Sequence, residues 1–315
     1  MIDDYGRVID YLRISVTDLC NFRCLYCMPE NGVPKKDHSD ILSIEEIEEI
    51  ARAASMLGIV KIRITGGEPL VRKGIVEIVR RVASIDGINE IALTTNGALL
   101  SKYAKDLKEA GLNRVNISID TLDNERYAEI TRGGDLNDVI KGIETAIEVG
   151  LTPIKLNAVL MGGISEEHIK PLVKMTENKD FRVRFIEIMP IGECSDWNKE
   201  RFIDISKVLE VEPELRFVGT DGVSKLYRKE GSIGTVGLIS PISSHFCPTC
   251  NKVRVTADGN LKPCLHSSEE IPLKGKHGDE LIDAIKSGIL DKPLKHKLGT
   301  TEQSESLRGM HAIGG

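Results

Sequence analysis

Hydrophobic and polar positions alternate along the chain in two rhythms. Short β-like runs recur at Leu12–Val16, Lys61–Thr65, Glu90–Thr95, Asn113–Ile119, Thr152–Val159 and Arg182–Ile188. Between them, apolar residues at helical spacing mark Ile44–Leu57, Gly74–Ser84, Ser101–Ala110, Leu136–Val149 and Glu166–Met175. Ser43 ahead of Glu45 and Glu46, and Ser165 ahead of Glu166 and Glu167, read as helix N-caps. Gly111 and Gly150 fall where helices should stop. Strands alternating with helices predict a parallel sheet. The six units fall short of the eight that close a full barrel. The expected fold is therefore α/β, a partial (β/α)6 barrel.

A parallel strand covered on both faces usually reads as a continuous apolar run. Several of these runs alternate instead: Arg13, Ser15, Thr17; Arg63, Thr65; Asn116, Ser118, Asp120; Lys155, Asn157; Arg182, Arg184. Alternate residues of a strand share one face. With helices outside, the polar set faces inward and lines a chamber suited to an anionic ligand. The alternative is an antiparallel sheet with one wetted face.

From Phe202 the rhythm fades. Lys225–Arg228 and Gly234–Ile239 read as a hairpin around Gly231, and a small helix is expected near Glu280–Ser287. The expected division is a barrel over 1–220 and a C-terminal region over 221–315. With 315 residues, 41% of them hydrophobic, the chain can bury a large core. Charged residues make up 29%, yet the net charge is −6, which offers no footprint for nucleic acid. The apolar stretches are far below the ~20 residues of a membrane span. The start, Met1-Ile-Asp-Asp, lacks the build of a signal peptide. A soluble, cytoplasmic protein without membrane or nucleic-acid partners is expected.

Seven cysteines sharpen the picture: Cys20, Cys24, Cys27, Cys194, Cys247, Cys250 and Cys264. An odd number in two tight groups argues against a disulfide framework. Cys20, Cys24 and Cys27 form C-x3-C-x2-C just after the first strand, and Cys247, Cys250 and Cys264 form C-x2-C-x13-C. Three thiolates can wrap a soft metal centre but do not saturate a four-iron cluster, so one iron would stay open to a ligand. Zinc completed by a fourth ligand is the alternative for each group, with His245 or His266 available to the second. Cys194, standing alone, reads as a buried structural thiol. Thr65-Gly66-Gly67-Glu68-Pro69 ends the second strand. Its glycines allow close backbone approach, and its carbonyls with Glu68 could receive an ammonium group.

The C-x3-C-x2-C loop, with Tyr26 before its last cysteine, resembles the radical S-adenosylmethionine superfamily. The resemblance implies S-adenosylmethionine bound at the open iron, with Tyr26, Gly67, Ser118 and Met189 as contacts. Both cysteine triplets, Asp10-Tyr-Leu-Arg-Ile-Ser-Val-Thr-Asp near the start and Gly314-Gly315 at the end together resemble, over nearly the whole chain, the GTP 3′,8-cyclase family of molybdenum cofactor synthesis. This implies two [4Fe-4S] clusters, the second receiving GTP. It further implies GTP contacts from Arg13, Arg63, Thr94, Lys155, Lys252, Val253 and Arg254. Lys252 stands where relatives usually carry arginine, exchanging a bidentate fork for a point charge. The family's reaction has a 5′-deoxyadenosyl radical take the ribose 3′ hydrogen of GTP, after which the sugar closes onto carbon 8 of guanine. No acid–base side chain is assigned; Gly314 and Gly315 are implied to thread into the chamber and promote the reaction. An electron donor and the next pathway enzyme, cyclic pyranopterin monophosphate synthase, are the implied partners. Another radical enzyme with an auxiliary cluster, acting on peptides, and a zinc-binding regulatory module remain the alternatives.

Overall fold

The computed structural model describes residues 1–195, 201–296, 298 and 304–314. Six parallel strands follow one another in chain order: β1 (Tyr11–Ser15), β2 (Lys61–Thr65), β3 (Glu90–Thr95), β4 (Arg114–Ser118), β5 (Ile154–Leu160) and β6 (Phe181–Glu187). Between them run α1 (Ile44–Met56), α2 (Ile75–Ala83), α3 (Leu100–Glu109), α4 (Asn124–Thr131), α5 (Leu136–Glu148) and α6 (Ile169–Lys174). These are the β/α units that the periodicity predicts, with α4 as an extra helix before α5.

The remainder extends the same sheet. After α7 (Lys207–Val211) come β7 (Arg216–Asp221), β8 (Ser224–Arg228), β9 (Thr235–Ile239), β10 (Lys252–Val255), β11 (Asn260–Lys262), β12 (Ile271–Pro272) and α8 (Gly278–Leu290). The strand order is β12-β11-β10-β1-β2-β3-β4-β5-β6-β9-β8-β7. The expected hairpin exists as the antiparallel pair β8–β9, but β9 also lies parallel to β6, and β10 lies parallel to β1. Eight adjacent parallel strands, β10 through β9, thus surround the lumen.

Helix starts follow their caps. Ser43 Oγ accepts from Glu46 N at 3.0 Å while Glu46 Oε2 accepts from Ser43 N at 2.8 Å, a reciprocal capping box that opens α1. The face that α1 buries is Ile47, Ile50, Ala51 and Ala54; that of α2 is Ile75, Ile78, Val79 and Val82. Ser165 does not cap. Its hydroxyl accepts from Met161 N and donates to Val159 O, tightening the turn after β5 instead. Gly111 and Gly150 stop α3 and α5 with φ of +104° and +74°.

One face of every barrel strand packs under the helices: Leu12 and Ile14, Ile62 and Ile64, Ile91 and Leu93, Val115 and Ile117, Leu156, Val183 and Phe185. Burying each such side chain contributes about 1.5–3 kcal/mol. The period of two leaves Arg13, Arg63, Thr94, Asn116, Lys155, Asn157 and Arg184 on the other face, looking into the lumen.

Candidate active site

The lumen holds a cavity of about 800 Å³ lined by Arg13, Arg63, Thr94, Arg114, Lys155, Arg182, Arg184, Lys252 and Arg254, among others. Strand register sets the spacing of these cations. Arg254 stands opposite Arg13, and Arg13 opposite Arg63, so three guanidinium groups occupy adjacent strands about 4.8 Å apart. A second row runs Thr94, Asn116, Lys155, Arg182. Burial and then neighbouring cations push Arg13 well below its ordinary value. The same causes bring Arg184 to about 9 and, with burial foremost, Arg254 to about 10 and Lys155 and Lys252 to about 8. The Tyr11 ring lies 5.2 Å from Arg63 and 5.7 Å from Lys252, giving both a π face. Arg63 Nε, Thr94 Oγ1 and Asn116 Nδ2 are buried with no hydrogen-bond partner among the described residues. Donors left open around a cationic chamber call for a polyanion.

The first cysteine triplet sits at the carboxyl end of β1. Cys27 N and Met28 N both donate to Cys24 O, folding the loop into a tight turn, and Phe22 N donates to Cys20 Sγ at 3.3 Å. The loop is tied to α4 by Arg23 N and Leu25 N, which donate to Thr131 O and Ile130 O. Burial pushes Cys20 up to about 11 and Cys27 to about 12, and raises Cys24 well above its ordinary value. Three partly buried thiols that repel one another as thiolates ionise together only around a cationic centre. Among the described residues no three Cys, His, Asp or Glu side chains converge as tightly as a single ion requires. A four-iron cluster is wider than one ion, and three cysteines around a common space fit its donor set.

Gly66 and Gly67 serve that loop. Gly67 N donates to Thr17 O at 2.7 Å, and a Cβ on Gly67 would fall on the carbonyls of Asp18 and Leu19. Their close approach is to backbone, at positions where any side chain would collide. Glu68 departs from the expectation that it could receive an ammonium group. Its carboxylate is fully buried and already accepts from Leu70 N, Thr95 Oγ1 and Asn96 N at 3.0, 2.8 and 2.7 Å. Burial still pushes it up to about 7. The tripeptide's carbonyls remain for a ligand, while the side chain braces the loops after β2 and β3.

Tyr26 OH donates to Asp120 Oδ2 at 2.9 Å, and Asp120 Oδ1 accepts from Val159 N at 2.8 Å. Ser118 ends β4 on the inward face and Met189 lines the cavity. Cys194 is buried, with its thiol donating to Tyr26 O at 3.2 Å.

The second triplet lines the opposite end of the cavity. Lys252, two residues beyond Cys250, is in register with Tyr11 at the start of β1, whereas the first triplet follows the end of β1. For Cys250, burial opposes ionisation, but Lys292, Lys252 and Arg254 outweigh it and hold the thiol below its ordinary value. His245, His296 and His266 stack beside the triplet with ring centroids 4.6 and 4.5 Å apart. Burial, then the neighbouring cations and rings, takes His266 down to about 3, so it stays neutral. The donor set again fits a cluster rather than a cage around one ion.

Val253 differs from its neighbours. Its side chain is fully buried in the apolar core on the other face of β10, because Lys252 and Arg254 take the lumen face, so the expected contact from Val253 is not on the cavity wall. The chain's end enters the lumen: Gly314 O and Ile313 O accept from Arg254 Nη1 at 2.6 and 3.3 Å. Gly314 has φ of +67°, and an added Cβ would overlap Thr65 Oγ1. Gly315 lies outside the described residues. Arg308 anchors this tail by bonding Asp258 and Glu270, each through both carboxylate oxygens, at 2.6–3.0 Å.

Sequence reasoning left several lining residues without a role. Arg182, Arg184 and Asn157 share the parity of Lys155 and were legible from alternation alone. Tyr11 and Arg114 likewise share the parity of Arg13 and Asn116, whereas Asp221, and Arg308 outside the cavity lining, carried no such signal.

A family model described as Radical SAM superfamily matches residues 14–176, and one described as Molybdenum Cofactor Synthesis C matches residues 181–298. The GTP 3′,8-cyclase of Alkaliphilus oremlandii (strain OhILAs) is 53% identical over 320 residues, covering 100% of both chains. That of Alkaliphilus metalliredigens (strain QYMF) is likewise 53% identical over 320 residues and 100% of both chains. In fold, the chain resembles Streptococcus suis SuiB, solved bound to S-adenosylmethionine. The TM-score is 0.60 at 17% identity, covering 97% of this chain and 75% of that one. The chain therefore belongs to the radical S-adenosylmethionine superfamily and, within it, to the GTP 3′,8-cyclase family.

Proposed function

We propose that the protein converts GTP into (8S)-3′,8-cyclo-7,8-dihydroguanosine 5′-triphosphate, the first step of molybdenum cofactor biosynthesis. The observation that carries this reading is a cation-lined lumen with one cysteine triplet, Cys247, Cys250 and Cys264, in its wall and the other just beyond the carboxyl end of β1. Cys20, Cys24 and Cys27 hold one [4Fe-4S] cluster and Cys247, Cys250 and Cys264 the other. When bound, the first cluster supplies the electron that cleaves S-adenosylmethionine, and the second offers an open iron to the guanine of GTP.

The chain's own residues bind, orient and seal. Tyr26, the Gly67 backbone, Ser118 and Met189 hold S-adenosylmethionine at the carboxyl ends of the strands. Arg13, Arg63, Thr94, Lys155, Lys252 and Arg254 hold GTP. Fixed cations on rigid strands present the ribose in one pose, which is an entropic advantage for closing one carbon onto another. The enclosed lumen keeps water from reactive carbon centres. Gly314 lies against Thr65 and Arg254, where it closes the chamber over the nucleotide. A reducing protein supplies the electrons, cyclic pyranopterin monophosphate synthase receives the product, and the reaction belongs in the cytoplasm. No described helix is long and apolar enough to cross a membrane.

The test is product analysis after anaerobic incubation with GTP, S-adenosylmethionine and dithionite. An isomeric cyclised nucleotide matched by 5′-deoxyadenosine is expected. Deoxyadenosine without GTP consumption would overturn the substrate, and neither product from fully iron-loaded protein would overturn the reaction class.

A further inference from the structure

The cavity is lined by two carboxylates among its many cations, Glu90 and Asp221. Glu90 is bound to Arg114 on the neighbouring strand, with Nε–Oε1 at 2.6 Å. Asp221 comes from further away. It ends β7, and the turn Asp221-Gly222-Val223 lines the cavity, where Asp221 Oδ2 meets Lys155 Nζ and, at 3.3 Å, Arg182 Nη1. Lys155 is almost fully buried, and Arg182 and Asp221 are about two-thirds covered.

This hairpin is built to move. Among the described strands β7 is one of the two at the sheet's edges, paired only with β8. Phe217 and Val218 leave 60% and 50% of their surface exposed, so little apolar packing fixes it. The pairing shifts register between Phe217 and Gly219, and Gly219 and Gly222 have φ of +139° and +60° with no neighbour crowding either. Two glycines in left-handed conformations flank the acid, an arrangement that lets a short turn swing.

We propose that Asp221 is an internal counterion that the phosphates of the substrate displace, the turn 221–223 swinging away from Lys155 and Arg182 as they bind. This rests on the reading that the cavity receives a nucleoside triphosphate. Buried cations without a partner are costly, so a chamber walled by them needs an anion against them. A single carboxylate neutralises part of the row and is outcompeted by a polyphosphate, which brings more charge and more acceptor oxygens. Asp221 thereby sets a threshold: ligands of low charge do not open the turn, and triphosphates do.

The test uses full-length protein with both clusters reconstituted, without S-adenosylmethionine so that nothing turns over. GTP binding is measured by calorimetry, and hydrogen exchange is followed across residues 219–225. In the wild type, both GTP and inorganic tripolyphosphate should raise exchange in the turn. Asp221→Asn and Asp221→Ala should each bind both ligands roughly fivefold to tenfold more tightly, the scale of a partly exposed ion pair removed from competition. Equal or weaker binding by both variants, or a turn that becomes more protected on binding, would overturn the proposal. Tripolyphosphate opening the turn in protein that fails to consume GTP when S-adenosylmethionine and dithionite are then supplied would instead overturn the substrate assignment and leave the displacement standing.

Discussion

Replacing Arg308 by glutamine removes one guanidinium that bonds two carboxylates. Its side chain and those of Asp258 and Glu270 are only 21%, 22% and 21% exposed, so these bonds are poorly screened. Asp258 is brought from its usual 3.8 down to about 2: burial opposes this, and Thr256, Arg308 and Lys36 together outweigh it. Roughly two units correspond to ~2.5 kcal/mol shared among the three. Adding the Glu270 side, Arg308 contributes about 2 kcal/mol to keeping the tail docked, or about a 30-fold bias toward the docked state. A depressed acid adds stability above its unfolded value and loses it as pH falls toward the folded one, so the clamp is intact above about pH 4 and indifferent to pH near neutrality. The barrel strands lie elsewhere, so the thermal midpoint should hardly change. Carboxypeptidase trimming, followed by mass spectrometry, should accelerate about 30-fold, since cleavage samples the released state. The ratio of 5′-deoxyadenosine formed to GTP consumed should rise, because Gly314 no longer closes the chamber. Trimming at the wild-type rate with an unchanged ratio would refute the reasoning.

Cys24→Ala should lose about four irons per chain and abolish 5′-deoxyadenosine formation, checked by iron analysis and chromatography. Cys250→Ala should abolish GTP consumption while uncoupled S-adenosylmethionine cleavage persists, and cyclisation at full rate would contradict it. Lys155, brought by burial to about 8, binds phosphate only when protonated, so KM for GTP should climb as pH rises through about 8 while S-adenosylmethionine binding does not. Glu68→Ala strands three donors that Glu68 now satisfies and should cost about 3 kcal/mol of stability, read as a lower denaturation midpoint.

What the sequence made legible followed from local signals. Alternation marked the inward cations of β1, β2, β5 and β6, and spacing marked both cysteine triplets. It could not show that β10 pairs with β1, 241 residues away, or β9 with β6, 53 residues away, because such pairing leaves no trace in either segment. The direction of Val253 and the reach of Asp221 depend on those pairings. Ser165 shows a different limit: a serine before two glutamates fits a cap, yet the turn after β5 claims its hydroxyl first. The helix α4 was missed because its eight residues, Asn124–Thr131, bury only Tyr127, Ile130 and Thr131, too short a stripe to stand out.

The two triplets at opposite ends of β1 make the strand a spacer. Its five residues at about 3.3 Å each give it a length of roughly 16 Å, set by the backbone and not by any side chain. Only a change of strand length or of pairing can alter it. A one-residue slip of β10 against β1 would also turn Lys252 and Arg254 into the apolar layer and bring Val253 to the lumen. The alignment of the backbone thus safeguards at once the distance between the two ends and the charge between them.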